Sequence, residues 1–252
     1  MVVFLHGVGG NRSNWSDQVA AVARLYRAVA WDARGYGDSE DAPGSWEFSA
    51  YADDLDRLLD HLEAGSAHIV GLSMGGRIAQ EFYHRRPERV RSLTLCDTYA
   101  RLALPLDRTE FMRRRRAPLV EGQQPSDIAA GVADSLLGSQ ASAAQRGRLI
   151  ESLSALRRES YLQALDVLAR HELRLEAEEI RVPTLLIFGG EDRLTPPDIG
   201  RALQARLPDS RLHVVPGAGH LVNIEQPEAF NKHLIEFLLG VSARASGSEQ
   251  LD

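Results

Sequence analysis

HIVGLSMGGRIAQEFYHRRP, residues 68–87, joins two periodicities through one turn. HIVGL (His68 to Leu72) is apolar and β-branched and reads as a buried strand. From about Met74 to Arg86 the pattern turns helical, and it stops before Pro87, whose ring disfavours helix in the residue ahead. Between them, Gly71 to Gly75 spells G-x-S-x-G. Alone this pattern is weak, since at average Gly and Ser usage about one chain in ten of this length carries it by chance. Directly after a strand and directly before a helix it becomes specific, because that is the setting of a nucleophile elbow. The turn must hold the Ser73 hydroxyl clear of the sheet in a strained backbone conformation. Side chains two residues before and two after would collide, so Gly71 and Gly75 fit. The following helix directs its first N–H groups at developing negative charge. A phosphate-binding loop would need G-x-x-x-x-G-K-[ST] or G-x-G-x-x-G, and neither occurs.

Working outward, VVFL (Val2 to Leu5), RAVAW (Arg27 to Trp31), SLTLC (Ser92 to Cys96), TLLIF (Thr184 to Phe188) and RLHVV (Arg211 to Val215) read as further strands. Helical patterns fall at Ser16 to Tyr26, after Ser49 as N-cap, at Pro197 to Leu207 and at Glu228 to Leu239. Strands alternating with helices predict an α/β protein with a mostly parallel, doubly wound sheet. From about Tyr99 to Glu179 the alternation stops and the chain is helical in character. The expected organisation is a core of residues 1–98 and 181–240, a helical insertion at 99–180, and a flexible tail at 241–252.

The composition fits an ordinary globular protein. Of 252 residues, 44% are hydrophobic and 25% charged, with 29 Lys+Arg against 35 Asp+Glu for a net charge of −6. A collagen-like, disordered or disulfide-stapled protein is excluded, and the single Cys96 cannot form an internal bridge. The acidic balance gives no reason to bind nucleic acid or an anionic membrane. No run reaches the roughly 18 apolar residues of a membrane span, and the start lacks a signal-peptide pattern, so the cytoplasm is the expected location.

A serine hydroxyl needs a base, and histidine suits neutral pH. Six of the eight histidines, at 61, 68, 84, 171, 213 and 233, fall in helical or strand patterns and read as surface or packing residues. His220 lies in PGAGH, a loop at the carboxyl end of a strand, where parallel sheets build their sites. Its imidazole needs an acceptor on the other nitrogen. Asp192, in FGGEDRLTP after the strand ending at Phe188, is preferred; Asp97, after the preceding strand, is the rival, and Glu191 reads as solvated. The order Ser73, Asp192, His220 matches the order expected for an elbow on such a sheet. Two N–H donors are needed for a tetrahedral oxyanion, and Met74 and Val8 of HGVGG are placed to supply them. His6, just before that turn, reads as a structural histidine bonded to loop backbone.

HGVGG, WDARGYGDS, GLSMGG, FGGEDRLTP and PGAGH, in this order, resemble the α/β-hydrolase superfamily across essentially the whole chain. The resemblance implies Ser73 as nucleophile, Asp192 as acid, His220 as base, Val8 and Met74 as oxyanion donors, and residues 99–180 as a substrate-shaping cap. GLSMGG, PERVRSLTLCDT and RRRRAPLVEGQQPSDIA look most like the enol-lactonase and small-esterase group, which includes the 3-oxoadipate enol-lactonases. Members usually carry two antiparallel strands before the HG motif. This chain begins inside the motif strand, so either the sheet is shortened, with those strands missing, or the chain is a truncated version; a missing edge would expose strand backbone.

The expected function is a cofactor-free, metal-free serine hydrolase of a small carboxylic ester or lactone, acting through an acyl-enzyme on Ser73. The same three residues also serve carbon–carbon bond hydrolases and lyases, and non-catalytic small-ligand receptors use the fold. Arg77 is a candidate to hold a substrate carboxylate, with a helix-surface role as the alternative. Trp15 is placed either in the pocket or in helix packing. Most of Arg113 to Arg116 is expected in solvent, with one or two steering an acidic substrate, and Asp32 is expected to stabilise its loop. A small-molecule ester or lactone is the expected partner, and the sequence leaves a homo-oligomer open.

Overall fold

In the computed structural model, which describes residues 1–42, 44–100 and 108–248, six strands form one sheet in the order β2-β1-β3-β4-β5-β6. They are β1 (Val2–Leu5), β2 (Ala28–Ala30), β3 (Ala67–Leu72), β4 (Val90–Cys96), β5 (Thr184–Gly189) and β6 (Ser210–Val215), and every pairing is parallel. Alternate residues take opposite faces of a strand. Val3, Leu5, Ile69, Leu95 and Phe188 therefore face one helical layer, and Val2, Phe4, Val70, Leu72 and Ile187 face the other. The first layer holds α2 (Ser49–His61), α3 (Met74–Arg85) and α8 (Pro197–Gln204); the second holds α1 (Ser16–Val22) and α10 (Pro227–Ser248). This is the doubly wound sheet that the alternation predicts.

Register positions the site. Leu5 pairs with Gly71, Leu72 with Cys96, Cys96 with Ile187 and Gly189 with Val215. The carboxyl ends of β1, β3, β4, β5 and β6 therefore finish nearly level, and their loops emerge along one rim. Between β4 and β5 lie α4 (Arg108–Val120), α5 (Pro125–Leu136), α6 (Ala143–Ser154) and α7 (Arg158–Arg170), with no strand among the described residues. A short α9 (Val222–Glu225) follows β6.

Two local expectations change. Ser49 is the first residue of α2 and makes no capping bond; Phe48 holds the cap position. The segment expected as a tail from 241 remains helical to Ser248. Its contacts explain this: Tyr26 and Ser242 hydroxyls meet at 2.9 Å, Arg244 pairs with Asp209 at 2.8 Å, and Val241 packs on the core. A small, polar composition does not reveal such distant partners. Residues 101–107 of the expected insertion and 249–252 of the expected tail lie outside the described residues, as does Pro43. Among the described residues, no helix is long and apolar enough to cross a membrane.

Candidate active site

Ser73 sits between β3 and α3 with φ 52° and ψ −112°. Only a crowded turn keeps a side chain in that left-handed region, at about 1–3 kcal/mol. The crowding is visible: a Cβ on Gly71 would stand 2.3 Å from the Gly75 carbonyl oxygen, and one on Gly75 would stand 2.1 Å from that of Leu5. Both glycines are thus required, as the steric argument predicts. The Ser73 N–H donates to Cys96 O at 2.9 Å, and its carbonyl accepts from Thr98 Oγ1 at 2.7 Å. From Ala67 to Tyr83 every residue is buried except Ser73. The fold hides this segment and leaves the Ser73 side chain as its one partly exposed residue.

His220 lies in the loop between β6 and α9, and its Nδ1 donates to Asp192 Oδ2 at 2.8 Å. Asp192 is buried and also accepts from Leu194 N at 2.7 Å, Thr195 N at 3.0 Å and Thr195 Oγ1 at 2.6 Å. Burial alone would raise its pKa, but the charge of His220 and the bonds from His220 and Thr195 outweigh it, and the net direction is down. The carboxylate is held ionised, and its bond takes up Nδ1, leaving Nε2 as the unengaged ring nitrogen among the described residues. His220 Nε2 and Ser73 Oγ are not hydrogen-bonded to each other; catalytic hydrogen bonds are often long or poorly aligned until substrate is bound.

Asp97 is placed otherwise. At φ 41°, it accepts from Gly189 N at 2.8 Å and Val222 N at 3.3 Å and makes no bond to His220. Burial, with the charge of Asp192 second, pushes its pKa well up despite those bonds. It braces β5 and α9, whereas Asp192 meets the imidazole. Glu191 is exposed, but it is more than solvated, since it accepts from Ser139 N and Oγ, both at 2.7 Å.

The HGVGG turn abuts the elbow: a Cβ on Gly7 would lie 3.3 Å from Ser73 Cβ. Among the described residues, nothing accepts the N–H of Val8 or of Met74. His6 takes the structural part expected of it. Nε2 accepts from Ala33 N at 3.1 Å and Nδ1 donates to Gly7 O at 2.9 Å. Burial lowers its pKa to about 4. His68, buried in β3 and bonded to Ser92 Oγ, is lowered to about 4 by burial as well. A neutral buried imidazole is protonated more readily unfolded than folded. Stability therefore falls as pH drops from about 6.5 toward 4, by about 1.4 kcal/mol per pH unit for each such histidine. Melting temperatures across that range check this; a flat profile from pH 6.5 to 4.5 contradicts it.

Other candidates are redistributed. Trp15 has no exposed surface and packs between Phe4 at 5.1 Å and Phe230 at 5.8 Å, so it belongs to the core beside α10 and lines no accessible pocket. Arg77 is neither on the surface nor open to the rim. It is 2% exposed, and its guanidinium donates to Tyr99 Oη at 2.5 Å and to His171 Nδ1 at 2.7 Å and O at 3.0 Å. It fastens α3 to the residue just past α7, where the insertion rejoins the core. Of the arginine run, Arg113 and Arg114 pair with Glu110 and Arg116 with Asp166, while Arg115 is 5% exposed. Arg115 lines a 520 Å³ cavity with Leu136, Arg193 and Leu194. Asp32 stabilises its loop through Arg12 and the Asp38 N–H.

Three participants escape sequence reading. Thr195 supports Asp192 and Thr98 supports the elbow. Glu225 is buried and bonds backbone on both sides of His220. The one available signal was an acid closing the apolar run HLVNIE before Pro227.

A parallel doubly wound sheet carrying a strained serine elbow, with a histidine–carboxylate pair at the same rim, defines the α/β hydrolases. The chain belongs to that family: its model, described as the alpha/beta hydrolase fold, matches residues 1–227. A pimeloyl-[acyl-carrier protein] methyl ester esterase of Neisseria meningitidis is 33% identical over 251 residues, covering 98% of this chain and 79% of that protein. 3-Oxoadipate enol-lactonase 1 of Acinetobacter baylyi is 32% identical, covering 91% and 85%. A thermophilic esterase of Thermogutta terrifontis, solved with malate bound, superposes with a TM-score of 0.87 at 30% identity, covering 95% and 89%. The protein is an enzyme of the esterase and lactonase type within this family.

Proposed function

We propose that the protein hydrolyses small carboxylic esters or lactones by nucleophilic catalysis at Ser73. The 2.8 Å bond from His220 Nδ1 to Asp192 carries the reading, because it fixes which ring nitrogen is free to act as base. His220 Nε2 takes the Ser73 proton as Oγ attacks the carbonyl carbon. The tetrahedral oxyanion is held by the Val8 and Met74 N–H groups, each worth about 3–4 kcal/mol in such a site. The imidazolium protonates the leaving alkoxide as the carbon–oxygen bond breaks, leaving an acyl-enzyme on Ser73. Water, deprotonated by His220, then releases the acid and restores the serine. With a lactone, the leaving alcohol is part of the acyl chain and so stays on the enzyme until that last step.

The names of the similar proteins support the class of bond: a methyl ester in one, an enol-lactone in another. Both present an acyl carbon with an oxygen leaving group. Labelling with a fluorophosphonate followed by mass mapping tests the assignment. One adduct is expected, on Ser73; an adduct on any other residue, or no adduct on folded protein, overturns it.

A further inference from the structure

The loop that carries His220 is gripped at three consecutive N–H groups, and no sheet strand supplies an acceptor. Gly219 N donates to both carboxylate oxygens of Glu225 at 3.0 Å, and Leu221 N donates to Glu225 Oε1 at 3.2 Å. Between them, His220 N donates to the carbonyl of Leu136, the last residue of α5, at 2.7 Å. Glu225 Oε2 also accepts from Gly138 N at 2.7 Å. Glu225 is 4% exposed and has no cationic partner among the described residues. A buried carboxylate is costly unless hydrogen-bonded, and here backbone N–H groups from two segments supply the bonds.

The backbones touch as well. A Cβ on Gly138 would stand 2.6 Å from Gly217 O and Gly219 N, and one on Gly219 would stand 2.3 Å from Leu136 O. On the acid side, Glu191 holds Ser139. The turn from Leu136 to Ser139 is thus joined to the loops of both Asp192 and His220.

We propose that Glu225 is a positioning residue for the base, and that the turn after α5 forms the other half of the socket holding His220. The inference rests on the reading of His220 as base. Asp192 fixes one ring nitrogen, which leaves the ring free to pivot with its backbone. Glu225 and Leu136 fix the backbone on either side and at the residue itself, so Nε2 is aimed by three anchors. The insertion then does more than roof a pocket, since part of the catalytic geometry depends on it.

The test compares wild type, Glu225→Gln and Gly138→Ala. Glutamine keeps the shape but turns an NH2 toward backbone N–H donors; alanine forces the turn off the base loop from the opposite side. The readouts are kcat and KM on p-nitrophenyl acetate, the pH–rate profile, and the low-field proton resonance of His220 Nδ1–H with its titration. Misplacement of a reacting group by about 1 Å costs about 100-fold. Glu225→Gln is therefore expected to lose about 100-fold in kcat with KM held within about twofold, and to shift the resonance and the pH profile. Gly138→Ala should move the same readouts in the same direction, and it carries the test if Glu225→Gln does not fold. Folded variants with wild-type kcat and an unshifted resonance overturn the proposal. If the wild type turns over no ester, the hydrolase reading fails, and the resonance comparison still decides whether Glu225 positions His220.

Discussion

Ser73→Ala is expected to abolish ester turnover, with kcat falling by about 10⁵–10⁶-fold, while the fold and its melting temperature change little. The two halves of this result have separate causes. The serine contributes its backbone to the structure, through the bonds of its N–H to Cys96 and of its carbonyl to Thr98. Alanine keeps both, and its Cβ meets the same left-handed strain at φ 52°. The hydroxyl is the only part removed, and nothing else in the buried stretch from Ala67 to Tyr83 is exposed to replace it. What would remain is binding and the oxyanion stabilisation proposed for the Val8 and Met74 N–H groups, which the substitution leaves in place. Steady-state kinetics beside a thermal melt measure both halves. Turnover within tenfold of wild type would remove Ser73 from the mechanism.

Asp192→Asn is expected to lower kcat by about 10⁴-fold, and Asp97→Asn far less. Both carboxylates are buried at the ends of neighbouring strands, so charge and location do not separate them. Their partners do. Asp192 accepts from His220 and from three groups of Leu194 and Thr195. An amide there must turn either its NH2 toward His220, forcing the imidazole into the wrong tautomer, or its NH2 toward the Leu194 and Thr195 donors. Asp97 meets only the N–H groups of Gly189 and Val222 among the described residues, and burial pushes its pKa up. Asparagine tolerates its positive φ and can still accept through its carbonyl oxygen. Measuring kcat for both variants discriminates them, and equal losses would contradict the assignment of the acid.

Much of the fold is legible in order along the chain. The apolar runs of β1, β3, β4 and β5 are short, β-branched and buried on both faces, which only a covered parallel sheet allows. The elbow is legible because its glycines answer a local collision, Gly71 against Gly75, four residues apart. Other features depend on residues brought together from far away. Trp15 has a helical context compatible with either pocket or core until Phe4 and Phe230 close over it. Arg77 reads as either a ligand-binding or a helix-surface arginine until Tyr99 and His171 occupy its guanidinium. The helix past residue 240 survives on contacts with Tyr26 and Asp209 that its own composition does not announce.

The sequence by itself determined the layering of the sheet, the serine at its turn and the rim on which the acid and base had to emerge. Those properties follow from periodicity and sterics within a few residues. The sequence already favoured Asp192 over Asp97 for the imidazole, and the 2.8 Å contact agrees with it; tertiary structure alone decided where Arg77 places its charge and that Glu225 and Leu136 hold the His220 loop from two sides. Hydrogen-bond partners are chosen by distance and direction through space, and residues 87 positions apart such as Gly138 and Glu225 meet only once the insertion has packed against the sheet.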